Sequence, residues 1–87
     1  MMKKVIETNE NEGFESLLGD RILVMCANYF YSGVLVGVND DFILLKDPSI
    51  VYETGKWSES GYSNAEKLHV DFWRVRIEFI ESYGLSK

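Results

Sequence analysis

Arg21-Ile22-Leu23-Val24-Met25-Cys26, then Tyr29-Phe30-Tyr31-Ser32-Gly33-Val34-Leu35-Val36-Gly37-Val38, then Phe42-Ile43-Leu44-Leu45-Lys46 is the stretch that decides the fold. Three β-branched and aromatic runs are separated by Ala27-Asn28 and by Asn39-Asp40-Asp41, residues that accept turn geometry, and this pattern reads as an antiparallel meander. From Ile22 to Asn39 no residue is charged, a run close to the ~20 residues that cross a bilayer as a helix. Its glycines, polar interruptions and β-branched content fit two strands instead. In the first strand Ile22, Val24 and Cys26 alternate with Leu23, Met25 and Ala27, so both faces are apolar and both need cover. Gly33, Leu35 and Gly37 share one face of the second strand, where missing side chains permit the sharp bend of a small barrel.

Outward from this core, Phe14, Leu17 and Leu18 have the i, i+3, i+4 spacing of an amphipathic helix, and Gly19 stands where a left-handed cap would close it. The spacing predicts a short helix over 12–18. Residues 1–11 read as a tail or an added edge strand. Downstream, Asp47-Pro48 marks a bulge or strand break, because proline donates nothing to a ladder. Extended character resumes at Ile50 to Glu53. Residues 54–66, rich in Gly, Ser, Asn and charge, form an extended hairpin loop, and Leu68 to Arg76 with Phe79 to Tyr83 are the closing strands. The expectation is one mainly β domain over residues 1–87.

Composition narrows the function. The 87 residues are 46% hydrophobic and 14% aromatic, which suits a folded chain with a small core that neighbouring subunits would supplement. The net charge of −5 opposes sequence-independent binding to nucleic acid, so any RNA contact has to be local. One cysteine and one histidine are too few for a thiolate zinc site within one chain, and no Cys-His nucleophile pair is expected. Cys26 reads as a small buried hydrophobe and His69 as an ordinary strand imidazole. Asp40-Asp41, with Asp47 near in sequence, lack calcium-loop spacing and read as turn aspartates. No cofactor is expected and no enzymatic set converges. Without a disulfide framework or a signal-like N-terminus, the expected compartment is the cytoplasm.

Two further groups invite binding roles. Trp57 and Tyr62, close to Lys56, have the chemistry to stack on unpaired bases, to anchor a protein partner, or simply to pack within the hairpin. Arg74 and Arg76 occupy one strand face, where they suit either an anion or a neighbouring carboxylate.

Leu18-Gly19-Asp20-Arg21-Ile22-Leu23-Val24 followed by Tyr31-Ser32-Gly33-Val34-Leu35-Val36-Gly37-Val38-Asn39-Asp40 resembles the first motif of the Sm and Sm-like proteins, over roughly a third of the chain. The resemblance implies an N-terminal helix and a small curved barrel of five antiparallel strands, whose subunits pair the fourth strand of one with the fifth of the next and close into a homo-oligomeric ring. It also implies single-stranded RNA near the pore, with Asn39, Asp40, Asp41, Phe42 and Arg76 as the contacting residues. The departures are specific. Phe42-Ile43 stands where the family has a base-contacting Met-Asn pair, and Val75-Arg76-Ile77 keeps the arginine of an Ile-Arg-Gly step but loses its glycine. Such divergence is similar to that of Sm-like proteins carried by bacteriophages. The alternative function is a ring that has lost RNA binding and serves as a structural or protein-interaction module, with Trp57 and Tyr62 as anchors.

Overall fold

The computed structural model describes residues 13–87, and the reading of residues 1–11 lies outside them. Six strands form one open antiparallel sheet: β1 (Arg21–Cys26), β2 (Phe30–Val38), β3 (Phe42–Glu53), β4 (Asn64–Lys67), β5 (Phe72–Arg76) and β6 (Ile80–Leu85). Their order is β4-β3-β2-β1-β6, with β5 also on β3. The uncharged run from Ile22 to Asn39 folds as the β1–β2 hairpin, and among the described residues no helix is long and apolar enough to cross a membrane.

Two expectations are corrected. The short helix over 12–18 is, within the described residues, a single 3-10 turn at Phe14–Leu17. Four residues give too few i→i+4 bonds to offset helix nucleation. The apolar spacing is nonetheless used, since Phe14 and Leu17 pack on the core and Phe14 stacks on Tyr83 with ring centroids 3.9 Å apart. Second, six strands replace five. Asp47-Pro48 does not end a strand: Asp47 takes φ 50° and the chain continues through the step, so Phe42 to Lys46 and Ile50 to Glu53 join as β3. The opposite strand breaks instead. Asp47 N–H donates to the Asp71 carbonyl at 3.2 Å and Leu68 N–H to the Pro48 carbonyl at 2.9 Å, so the step takes its partners from the 68–71 bend. His69 therefore lies in that bend between β4 and β5, not in a strand.

The bend of the sheet has a local cause. Ser32 pairs with Ser49 and Val34 with Lys46, leaving Asp47 and Pro48 opposite the single residue Gly33; farther along, Val36 is the extra residue between the Leu35–Leu45 and Gly37–Leu44 pairs. Each bulge sharpens the twist. A Cβ on Gly33 would lie 2.9 Å from Leu45 Cβ and 3.1 Å from the Lys46 carbonyl oxygen, and one on Gly37 would lie 3.3 Å from Leu44 Cβ. Side-chain absence is what lets β3 cross β2 so closely.

Curling is also required by chain reach. Along β5-β3-β2-β1-β6 the outer strands are four spacings apart, about 19 Å in a flat sheet. The link from Arg76 to Ile80 is four peptide steps and passes through a 3-10 turn, Ile77–Phe79; even fully extended it reaches at most ~14 Å. Only a strongly curved sheet brings its two outer strands within that reach. Ile22, Val24, Leu35, Ile43, Leu45 and Val75 fill the concavity. On the other face of β1, Leu23 is also buried, and it borders a cleft of ≈ 210 Å³ with Met25, Trp57, Tyr83 and Leu85. The sequence required cover on both faces of β1, and the 54–63 loop provides part of it through Trp57.

Gly33→Ala should therefore lower the unfolding free energy by about 1–3 kcal/mol, as overpacking does. Gly84→Ala in β6, where an added Cβ meets nothing within 4 Å, should stay within about 0.5 kcal/mol of the parent. Urea unfolding followed by circular dichroism compares the two; equal losses would remove the close crossing as the cause of the bend.

Candidate binding surfaces

The Asn39 to Phe42 turn is built by its first side chain. Asn39 Oδ1 accepts the N–H groups of Asp41 and Phe42, each at 2.8 Å, and Asn39 N–H donates to the Phe42 carbonyl at 3.0 Å. This is the asparagine turn chemistry that makes the residue common in such loops. β5 then brings its end alongside, pairing Arg76 with Phe42, while Ile77 N–H donates to the Asp41 carbonyl at 2.9 Å. The five residues expected from the Sm-like resemblance are thus neighbours. Asp40, Asp41 and Arg76 line one open cleft with Ile77 and Glu78.

Their chemistry differs from a ready RNA site. The Asn39 side-chain oxygen is committed to its own turn. Arg76 is ion-paired with Glu78, both well exposed, and its guanidinium lies 5.4 Å from the centre of the Phe79 ring. Three carboxylates, Asp40, Asp41 and Glu78, face one arginine across the cleft, a balance that repels phosphate. The ion pair itself is solvent-screened and weak, so Arg76 is free to exchange partners. Arg74 sits over Phe42 at 5.6 Å. Among the described residues no three His, Cys, Asp or Glu side chains converge as a metal site, so Asp47 does not join Asp40 and Asp41.

A second concavity, of ≈ 310 Å³, went unread in the sequence. Tyr29, Tyr31, Trp73 and Phe79 line it together with Cys26, Arg74 and Arg76. Tyr31 and Trp73 meet at 6.4 Å between ring centres. No local pattern announces this cleft, because β2 and β5 are far apart in sequence and only the curled sheet makes them face. Burial, with Glu81 adding to it, pushes the Cys26 thiol up. Burial likewise raises the Tyr31 hydroxyl, helped by Cys26 and Tyr29 and partly opposed by Trp73. Both are protonated at neutral pH, so Cys26 is a packed thiol and not an activated nucleophile.

Trp57 and Tyr62 form a third, separate group. Their rings lie 5.2 and 5.5 Å from the Lys87 ammonium. Tyr62 Oη and Ser86 Oγ share a hydrogen bond of 2.5 Å, and Lys87 Nζ donates to the Lys56 carbonyl at 2.6 Å. The hairpin loop, expected over 54–66, ends at Ser63, since β4 begins at Asn64. It folds back onto the residues that follow β6. Packing is therefore part of what the two aromatics do, yet Trp57 keeps 56% of its surface exposed.

Removing both turn bonds by Asn39→Ala should cost about 1 kcal/mol and lower the melting temperature by roughly 4–8 °C in a domain of this size. Asn39→Asp, which keeps an acceptor, should recover most of the loss in the same thermal melts. An unchanged melting temperature in Asn39→Ala would show that the side chain does not hold the turn. Compared with known proteins, the chain matches no family model, no curated protein and no solved structure.

Proposed function

We propose that the chain is a subunit of an Sm-like homo-oligomeric ring that serves as a structural or protein-interaction module. One observation carries the reading: the sheet leaves outer strands on both sides, β4 and β5 on β3 and β6 on β1, whose outer sides pair with nothing among the described residues. Of these, β5 and β6 also carry exposed apolar side chains, Phe72 and Trp73 on one and Tyr83 and Leu85 on the other. An unpaired edge with apolar flanks invites another strand. The two edges differ, so joining β5 of one copy to β6 of the next is head-to-tail, and such contacts close into a ring when the rotation between neighbours permits. The Sm-like resemblance implies the same pairing. The strong curl, the 3-10 link between the last two strands and a core confined to a few residues support the barrel reading, counting β4 and β5 as one interrupted strand.

The acidic cleft at Asp40 and Asp41 and the committed Asn39 favour a protein-facing role over a nucleic-acid one. A second reading, single-stranded RNA on the ring, is favoured by the Arg74–Phe42 and Arg76–Phe79 pairs. Aromatic rings with guanidinium groups beside them are platforms on which unpaired bases stack.

Light scattering tests both. The parent protein should have a mass several times its 10.0 kDa subunit, and Leu85→Glu should yield a folded monomer at the same concentration. A parent that stays monomeric at tens of micromolar would defeat the ring. Labelled short single-stranded RNAs that co-elute, and are lost as salt rises or in Arg76→Ala, would transfer support to the RNA reading.

A further inference from the structure

We infer that Trp57 and Tyr62 form a cation-binding cleft for the alkylammonium group of a partner protein's lysine, and that the chain's own Lys87 occupies it as a stand-in. This inference rests on the protein-interaction reading of the assembly and assigns the partner's chemistry.

Two ring systems converge on one ammonium, at 5.2 and 5.5 Å from their centres. Both distances lie inside the ~6 Å within which a ring's negative face attracts a cation, and paired aromatic walls of this kind recognise alkylammonium ligands. The third element is a directed acceptor, the Lys56 carbonyl, which receives the Lys87 ammonium at 2.6 Å. A chain with 14 acidic residues has many carboxylates to offer a lysine. Among the described residues Lys87 has none as an ion-pair partner and is held instead by two rings and a carbonyl. The site therefore holds its cation by ring faces and a carbonyl and not by an opposing carboxylate.

Two of the cleft's elements are held by bonds that do not involve the Lys87 ammonium. The Lys56 carbonyl is fixed by a second bond, from Glu59 N–H at 3.1 Å, and Tyr62 is fixed through Ser86. A preformed site loses less freedom on binding. Trp57 is more than half exposed with Lys87 in place, so an incoming lysine has a face to approach. The net charge of −5 attracts a basic partner over longer range.

The experiment uses the full chain and Lys87→Ala, titrated with a short neutral peptide carrying one lysine, the same peptide with norleucine in its place, and tetramethylammonium chloride. Calorimetry gives affinity, and the two tryptophan indole N–H signals in NMR give location, with Trp73 as the internal reference. The lysine peptide should move the Trp57 signal alone and bind Lys87→Ala about tenfold more tightly than the parent, because a tethered competitor acts at millimolar effective concentration. Tyr62→Leu in the Lys87→Ala background should lose that binding, and Tyr62→Phe should retain it. Saturation by tetramethylammonium but not by the peptide would overturn the protein lysine as occupant. Equal binding of the norleucine peptide would overturn cation recognition, and no Trp57 response to any titrant would overturn the cleft. The mass of Lys87→Ala by light scattering, expected to equal that of the parent, separates failure of this cleft from failure of the ring.

Discussion

The curl of this domain depends on one close approach, where Gly33 of β2 lies opposite the Asp47-Pro48 step of β3. The extra residue in β3 makes the ladder turn, and the missing side chain of Gly33 gives Leu45 and the Lys46 carbonyl room to close on the backbone. With a side chain there, β3 would stand farther off and the sheet would open. The bulge then needs partners for its own polar groups. It finds them in the 68–71 bend, through the Asp47–Asp71 and Leu68–Pro48 bonds, and receives a further contact from Arg21, whose guanidinium donates to the Asp47 carbonyl at 3.1 Å. One distortion in β3 thus interrupts the next strand and ties the start of β1 to the same point.

From that crossing the surfaces follow. A curled sheet lets the three-residue turn Ile77–Phe79 join two strands that would otherwise lie on opposite margins. It sets Trp73 against Tyr31, while the β3–β5 ladder itself brings Arg76 beside the Asn39 to Phe42 turn. The sheet nonetheless stays open, and among the described residues β5 and β6 keep outer sides that pair with nothing, edges of the kind that invite a further strand.

Much of this was legible in the sequence, and the reasons are physical. The β-branched and aromatic runs bounded by Ala27-Asn28 and Asn39-Asp40-Asp41 marked three strands, because such side chains suit extended backbone and those residues accept turns. The Gly33–Leu35–Gly37 face marked the bend. The demand for cover on both faces of β1 followed from Leu23 and Met25 alone. What escaped was decided by tertiary contact. The Phe14, Leu17, Leu18 spacing fits a helix and a 3-10 turn equally well over so short a length, and only docking against Tyr83 selects the turn. The Asp47-Pro48 step reads identically as a break or a bulge until its partner strand is known. The proximity of the five residues around the 39–42 turn was anticipated. The side-chain bonds within that turn, the Arg76–Glu78 pair and the aromatic concavity between β2 and β5 were not, since each joins residues whose relative position the one-dimensional pattern does not carry.

The charge distribution brings the candidate surfaces into a single account. An acidic chain can still bind RNA if its few cations are gathered and free at one place, but four of the nine here are each engaged with a partner of their own. Arg21 is used at the bulge, Arg74 lies over Phe42, Arg76 pairs with Glu78, and Lys87 sits between Trp57 and Tyr62. Three of these four rest on aromatic faces, where they exchange partners at small cost because exposed cation–π contacts are weak. Such a surface does not hold a polyanion through summed charge. The chemistry it offers is the exchange of one ring-bound cation for another, or stacking where a guanidinium is drawn aside. Both modes draw on aromatic side chains and not on net charge, and that is the currency in which a chain of net charge −5, with Trp57 and Phe79 more than half exposed, is rich.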